Sequence, residues 1–554
     1  MGLAGKGRRG RRSGACAHRG LQGTWEALSP PPEELAGAGA RRHNSPGRRP
    51  ARPWPPERTS GAQVVRPGEG RPERGRTGGK ESERPIVPRK AGKPPRATRW
   101  REGACRAMEP LGGQMTERSG SDPISTKRQR IADLAARMPE TPLTTLAHHI
   151  DHAWLKEAYR QTRKSGATGV DGQTAADYAA DLDANLADLL ERAKSGRYRA
   201  PPVRRTYIPK GDGSKVRPLG IPTFEDKVLQ RAVAMVLESV YEQDFYDCSY
   251  GFRPGRSAHD ALHATREALM AMGGGWVLSL DIAAYFDSVD HRLLQDVVRQ
   301  RVRDGVLTRL IGKWLKAGVM EDGQWRSADA GTPQGGIVSP ALANIFLHEV
   351  LDRWFEETVK PHMRGRAHLV RYADDAVLLF EREDDARRVL RVIYDRFAKY
   401  GLTVHPEKTR LVPFTRPPHD ADSPKPHSGT FDLLGFTHYW RRSRQGKWVV
   451  QRKTAKDRHA RTLRAINQWC RVNRHRPVRD QWLTLCRKLE GHYRYFGVTG
   501  NGRLIRAVWA ATRRRWRYWL ARRSQHGRMP WARFRQLLVH YPLPNPRLLA
   551  RHRA

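Results

Sequence analysis

The stretch His368 to Phe380, which reads H-L-V-R-Y-A-D-D-A-V-L-L-F, constrains this chain more than any other. Two short apolar runs flank the adjacent acids Asp374 and Asp375, and each run has the length of a buried β-strand. The pattern reads as a hairpin with both acids at its turn. Adjoining carboxylates in an apolar hairpin repel each other and are costly to desolvate. A bound divalent cation removes that difficulty, and oxygen-only ligands favour Mg²⁺. A bare solvated Asp-Asp turn is the alternative, and the pair alone does not choose between them.

Charge narrows the choice of partner. Lys and Arg number 102 against 57 Asp and Glu in 554 residues, a formal net charge of +45. Such a surplus calls for a polyanion, and nucleic acid rather than a membrane surface. No apolar run approaches the roughly 20 residues that span a bilayer. Cys16, Cys105, Cys248, Cys470 and Cys486 are scattered, with no C-x-x-C and no paired His cluster. That argues against a zinc site or a disulfide framework and fits a reducing, cytoplasmic compartment. The N-terminus lacks the apolar core of a secretory signal.

Residues 1–107 are rich in Arg, Gly and Pro and almost free of aliphatic periodicity. Such a segment cannot bury enough apolar surface to offset its ordering entropy, so disorder is expected. A basic RNA-binding tail, an organellar transit peptide and an over-extended start of translation compete to explain it. The last is favoured, with Met108 or Met115 as initiator. Order is expected from about Asp122. Residues 146–163 and 175–195 carry apolar positions at helical spacing, separated by the turn-like Gly166-Ala-Thr-Gly-Val-Asp-Gly172. Residues 203–209 read as a strand leading into a glycine-containing loop, Lys210 to Arg217. A helix capped by Thr223 follows, with Leu229, Val233, Val236, Leu237 and Val240 on one stripe. Residues 276–282 are a second buried-strand candidate. From about Lys453 to Arg523 the pattern is helical and dense in Arg and Trp.

Asp281 closes that second apolar run, roughly 90 residues before the Asp-Asp pair. A lone Asp there is ordinarily a cap or turn residue. Nucleotidyl transfer, however, needs two Mg²⁺ ions roughly 4 Å apart, and three carboxylates from a strand and an adjacent hairpin can hold them.

Taken in order, the motifs resemble a group II intron-encoded reverse transcriptase/maturase of the bacterial type. Residues 166–172 resemble its N-terminal extension block. Lys210 to Pro222 and Ser249-Tyr-Gly-Phe-Arg-Pro-Gly-Arg-Ser-Ala-His-Asp260 are similar to its two fingers blocks. Asp281 to His291 and Gly331-Thr-Pro-Gln-Gly-Gly-Ile-Val-Ser-Pro-Ala-Leu-Ala-Asn344 resemble the first two palm motifs. Tyr372-Ala-Asp-Asp375 matches the catalytic box, and Gly401 to Thr409 and Phe431 to Thr437 the last two blocks before the thumb. The resemblance implies an α+β right-hand polymerase fold. Fingers and palm with an antiparallel sheet would occupy 122–440, and an α-helical thumb/maturase domain 441–554.

By the same resemblance, Asp281, Asp374 and Asp375 would hold two Mg²⁺ ions, with the Ile282 backbone carbonyl contributing. Phe286 would be the steric gate selecting dNTP substrates over ribonucleotides, with an ordinary core aromatic as the less favoured alternative. Lys210 and Arg217 would grip the triphosphate. Gln334 and Gly335 would line the nucleotide pocket, and Lys408 would protonate the leaving pyrophosphate. Leu489 to Gly497, followed by a Trp- and Arg-rich helix, resembles the maturase thumb. There Arg513, Arg514, Arg517, Arg522 and Arg523 would contact structured RNA, and the tryptophans would form core.

The absence of a cysteine-framed H-N-H nuclease module points to an endonuclease-lacking lineage. Implied partners are the parent intron RNA, an RNA template with DNA primer, and target DNA. The implied location is the bacterial cytoplasm, at the nucleoid when acting on DNA. A non-enzymatic splicing cofactor and a polymerase of another retroelement are the competing readings. The intact acid triad argues against the first and the maturase-like thumb against the second.

Overall fold

The computed structural model describes residues 123–548, apart from 211–214, 322–323, 327–330, 332–334, 422, 425–427 and 525–526. The basic segment at 1–107 and both alternative start methionines lie outside the described residues. Four helices come first: α1 (Pro123–Arg137), α2 (His152–Gln161), α3 (Ala175–Ala180) and α4 (Leu182–Ser195). Helix α2 begins later than its apolar spacing suggests because the Asp151 side chain accepts from Trp154 N at 2.9 Å and caps it there. The helix expected over 175–195 is broken at Asp181, whose φ of −124° and ψ of 49° are not helical. Asn185 Nδ2 donates to the Tyr178 carbonyl across the break at 3.0 Å.

Strands β1 (Val203–Lys210) and β2 (Lys215–Ile221) form an antiparallel hairpin, followed by α5 (Phe224–Tyr241). Thr223 caps α5 as expected, its hydroxyl accepting from Asp226 N. The helix is buried on nearly every side rather than along one stripe, because α1 and α2 pack directly against it. Next come α6 (Ala258–Met272), β3 (Trp276–Leu280), the single turn α7 (Tyr285–Ser288), α8 (His291–Arg301) and α9 (Gly305–Leu315). The short strands β4 (Val319–Glu321) and β5 (Gln324–Arg326) complete a sheet of order β2-β1-β4-β5.

Helix α10 (Ser339–Leu347) runs on through His348–Val359 with wider, π-type turns. The apolar runs of the acidic hairpin are β6 (Ala367–Tyr372) and β7 (Asp375–Phe380). After α11 (Glu383–Ala398), β8 (Arg410–Pro413) closes a second sheet of order β6-β7-β3-β8. Val377, Leu378, Leu379 and Phe380 of β7 are at most 1% exposed. Burying each contributes about 1.5–3 kcal/mol, which fixes the register of the hairpin.

A third sheet, β11-β10-β9, is built from β9 (Phe431–Leu433), β10 (Phe436–Arg442) and β11 (Trp448–Thr454). It shares one apolar core with α6 and the second sheet, through residues such as Leu269, Leu379, Phe414, Phe436 and Trp440. The C-terminal region is helical from Lys456: α12 (Lys456–Val472), α13 (Val478–Phe496), α14 (Gly502–Leu520) and α15 (Trp531–His540). Their core centres on Leu485, Leu489, Val508, Trp516 and Phe534. The protein is therefore a mixed α+β structure with a helical C-terminal region. Among the described residues, no helix is long and apolar enough to cross a membrane.

Candidate active site

Strand register brings the three acids to one end of the second sheet. Tyr372 pairs with Asp375, so the turn itself is Ala373 and Asp374, and Asp375 is already the first residue of β7. The last pair between β3 and β7 is Leu280 with Ala376. Asp281 directly follows Leu280 and Asp375 directly precedes Ala376, so the two acids flank the last pair of that ladder at the same end. Desolvation, then the charges of Asp374 and Asp281, push the Asp375 carboxyl up to about 6, against the pull of Arg458 on α12.

Asp281 is held by the segment that precedes β8. Its carbonyl accepts from His405 N at 2.8 Å, and Ala283 N donates to the Thr403 carbonyl at 2.8 Å. Those two bonds flank the bridge between Ile282 and Val404 and use neither polar group of Ile282. Lys408 Nζ stands 3.0 Å from Asp281 Oδ2. Among the described residues, no three His, Cys, Asp or Glu side chains converge into a ready-made metal cage. The donor set nonetheless suits a hard divalent cation: carboxylate oxygens, with Asp375 raised by burial and then by the charges of Asp374 and Asp281, and a lysine ammonium standing where a cation would relieve the same charge.

The turn is braced from one side. Ala373 has a φ of 57°, in the left-handed region that a residue with a Cβ seldom adopts. Ser249 bridges to Arg371 beside β6: Tyr250 N donates to the Arg371 carbonyl and Arg371 N to the Cys248 carbonyl, both at 2.8 Å. Gly251 then lies so near the turn that a Cβ there would be 2.3 Å from Ala373 N. Phe252 follows with a φ of 55° and an exposed ring 6.5 Å from that of Tyr372.

The residues expected to line a nucleotide pocket lie about α7 and β2. The half-buried Phe286 ring meets Tyr285 edge-on at 5.2 Å, after Ala284 at a φ of 46°. Gly331 N donates to the Val289 carbonyl at 2.8 Å, and a Cβ on Gly331 would sit 2.9 Å from the Phe286 carbonyl oxygen. Gly335, with a φ of 123°, lies against β2, where its Cβ would be 2.5 Å from the Gly220 carbonyl oxygen. Gly331 thus lies against α7 and Gly335 against the first sheet. Gln334 lies outside the described residues, as does the side chain of Lys210. Arg217 is exposed on β2, opposite Ile208. Beneath this region Asp226 is buried, accepting from Trp314 Nε1 at 2.9 Å and from the Tyr198 hydroxyl.

The C-terminal arginines divide by environment. Arg514 and Arg522 are exposed, Arg522 stacking 3.6 Å from the Tyr518 ring centre. Arg513 covers Trp509 and Arg517 covers Trp531, both at 4.5 Å. Arg517 also donates to the Met529 carbonyl, and Arg523 to the carbonyls of Arg474 and Arg476. Trp516 is fully buried, its indole N–H bonded to Gln481 Oε1 at 3.0 Å, as core rather than platform.

Residues 208–438, from β1 into β10, match the family described as reverse transcriptase (RNA-dependent DNA polymerase). Protein YkfC of Escherichia coli (strain K12) is 35% identical over 365 residues, covering 59% of this chain and 91% of its own length. The chain belongs to the reverse transcriptase family. Its matched region is an RNA-dependent DNA polymerase domain, and the acid cluster lies within it. Group II intron-encoded protein LtrA of Lactococcus lactis subsp. cremoris is 40% identical over 212 residues, covering 36% of this chain and 35% of its own length. The similarity to LtrA therefore spans about a third of that relative. Nuclear intron maturase 2, mitochondrial, of Arabidopsis thaliana is 30% identical over 182 residues, 26% of this chain and 24% of its own length. The helices after β11 lie beyond the family match.

Sequence reasoning passed over several residues that the structure places around the acids. Arg371 is fully buried two residues before Ala373, and Asp352 lies against it, also fully buried. A lone cation inside the apolar run L-V-R-Y was the available signal. Arg458, which opposes the raised Asp375 carboxyl, lies on a helix far along the chain and gave none.

Proposed function

We propose that this reverse transcriptase binds its parent group II intron RNA, assists its splicing and copies it into cDNA. The observation that carries the catalytic half is the register that brings Asp281 and Asp375 to the same end of the β3–β7 ladder, beside Asp374 at the turn. On this reading the molecule is a right hand: fingers in the first sheet, palm in the second, thumb in the C-terminal helices. Asp281, Asp374, Asp375 and the Ile282 carbonyl would hold two Mg²⁺ ions, which supply charge neutralisation for the triphosphate and acidify the attacking 3′-hydroxyl. Phe286 crowds the sugar and excludes a 2′-hydroxyl. Arg217, with Lys210, grips the triphosphate, and Gln334 and Gly335 line the pocket beside it. Lys408, which already touches Asp281, protonates the departing pyrophosphate.

The splicing half rests on the net charge of +45 and on cations carried by α14 and the segment after it. Exposed Arg514 and Arg522 are suited to phosphates and 2′-hydroxyls, with Arg513, Arg517 and Arg523 shaping the same surface. The test is to compare two variants in two assays. Asp374→Ala/Asp375→Ala should abolish cDNA synthesis and leave intron binding and splicing largely intact. Arg513→Gln/Arg514→Gln should lower splicing more than extension of an artificial primer-template. Polymerisation by the first variant refutes the metal site, and equal losses from the second refute the RNA surface.

A further inference from the structure

Arg371 is the fifth residue of β6, and its side chain turns inward with no exposed area. Its guanidinium makes five hydrogen bonds. Nε donates to Asp352 Oδ1 at 2.6 Å and Nη2 to Asp352 Oδ2 at 2.5 Å. Nη2 also donates to Ser249 Oγ at 2.8 Å. Nη1 donates to Asn344 Oδ1 at 3.0 Å and to the Ala373 carbonyl at 3.1 Å. That last acceptor is the peptide oxygen joining Ala373 to Asp374. Asn344 in turn donates to the Gly251 carbonyl at 2.5 Å, tying the bracing segment into the same network.

A fully buried ion pair is poor value for stability, since well-packed apolar residues of similar volume commonly serve as well or better. The bidentate fork gives directional placement instead. The helix beneath is shaped to serve it. In a straight α-helix, Asn344 and Asp352 would point about 80° apart, eight residues turning by about 100° each. The wider turns of His348–Val359 rotate the later residues back, so both side chains face one guanidinium. Wide turns of this kind are uncommon and gather at functional sites.

We propose that Arg371 is a positioning residue for polymerisation. It fixes the Ala373–Asp374 peptide, and through it the Asp374 carboxylate, relative to Asp281 and Asp375. Asp352 supplies its counter-charge, and Asn344 and Ser249 set the plane of its fork. This rests on the reading of the three aspartates as metal-holding. Arg371 acts through that peptide, its five hydrogen bonds all going to protein groups.

The test uses the full-length protein, with Arg371→Met/Asp352→Leu as an uncharged pair of similar bulk and Arg371→Lys as a variant that keeps the charge but loses the fork. Thermal melts, primer-template affinity, and single-turnover extension at varied dNTP and Mg²⁺ are measured for each. The uncharged pair should melt near the parent and bind primer-template within about three-fold. Its maximal rate should fall about 100-fold, the scale of a 1 Å misplacement, with a higher Mg²⁺ requirement. Arg371→Lys should lose at least about ten-fold in maximal rate, with dNTP KM nearly unchanged. If the uncharged pair does not fold, Arg371→Lys decides alone. A folded variant extending at the parental rate overturns the proposal, as does a loss confined to primer-template affinity. Asp374→Ala run in parallel separates the two readings. Activity in that variant overturns the metal site, whereas its inactivity beside a fully active Arg371→Lys overturns only the positioning role.

Discussion

Replacing Gly251 with alanine drives a methyl group into the backbone of the acidic turn. The new Cβ would lie 2.3 Å from Ala373 N and 3.0 Å from the Tyr372 carbonyl carbon, where ordinary contact begins at 3.4 Å. Something must move by about 1.1 Å. The Gly251 side is anchored, since Asn344 Nδ2 holds its carbonyl and Tyr250 N is bonded to the Arg371 carbonyl. Ala373, already at a left-handed φ, is the part that yields. Overpacking of this kind costs about 1–3 kcal/mol of stability, and a 1 Å displacement of a catalytic group can cost about 100-fold in rate. Gly251→Ala is therefore expected to fold, melt somewhat lower, and extend a primer by one nucleotide about 100-fold more slowly in single turnover. Gly305→Ala is the matched control, because a Cβ there meets nothing within 4 Å. A folded Gly251→Ala protein within about three-fold of the parental rate would refute the claim that this glycine sets the turn.

Three further outcomes follow from the same geometry. Burial pushes the Asp226 carboxyl up to about 7 from the usual 3.8, so the folded state keeps a proton that the unfolded chain releases. Stability should then fall as pH rises from about 4 through 7, by up to about 4 kcal/mol, and Asp226→Asn should flatten melting temperature between about pH 5 and pH 8. An unchanged pH profile in that variant would show that Asp226 is not the group responsible. Phe286→Ala should raise ribonucleotide use relative to deoxynucleotide use at least about ten-fold, read as the ratio of the two kcat/KM values. An unaltered ratio would return Phe286 to the role of a core aromatic. Lys408→Met removes the cation beside Asp281, so Mg²⁺ should raise its melting temperature by more than it raises the parent's. Equal increments would mean that the lysine does not compete with the metal.

The acidic hairpin was legible because its two runs are apolar at consecutive positions, as strands buried on both faces must be. The same pattern slightly misplaced the acids. Only the Tyr372–Asp375 pair shows that one acid belongs to the turn and the other to the strand. The break at Asp181 was hidden, since apolar spacing continues through it while the backbone does not. Hardest to foresee was the partnership of Arg371 with Asn344 and Asp352. A period of 3.6 residues points those two side chains in different directions, and only the widened turns bring them together. The C-terminal arginines show a different limit. Composition revealed their charge but not that Arg517 and Arg523 spend their hydrogen bonds on backbone carbonyls.

Gly331 lies against α7 and Gly335 against the first sheet, four residues apart in the chain. Neither glycine can take a side chain without displacing backbone on the facing element. Four peptide steps reach at most about 14 Å, so the chain itself keeps the first sheet and α7 within that distance of each other at these two contacts.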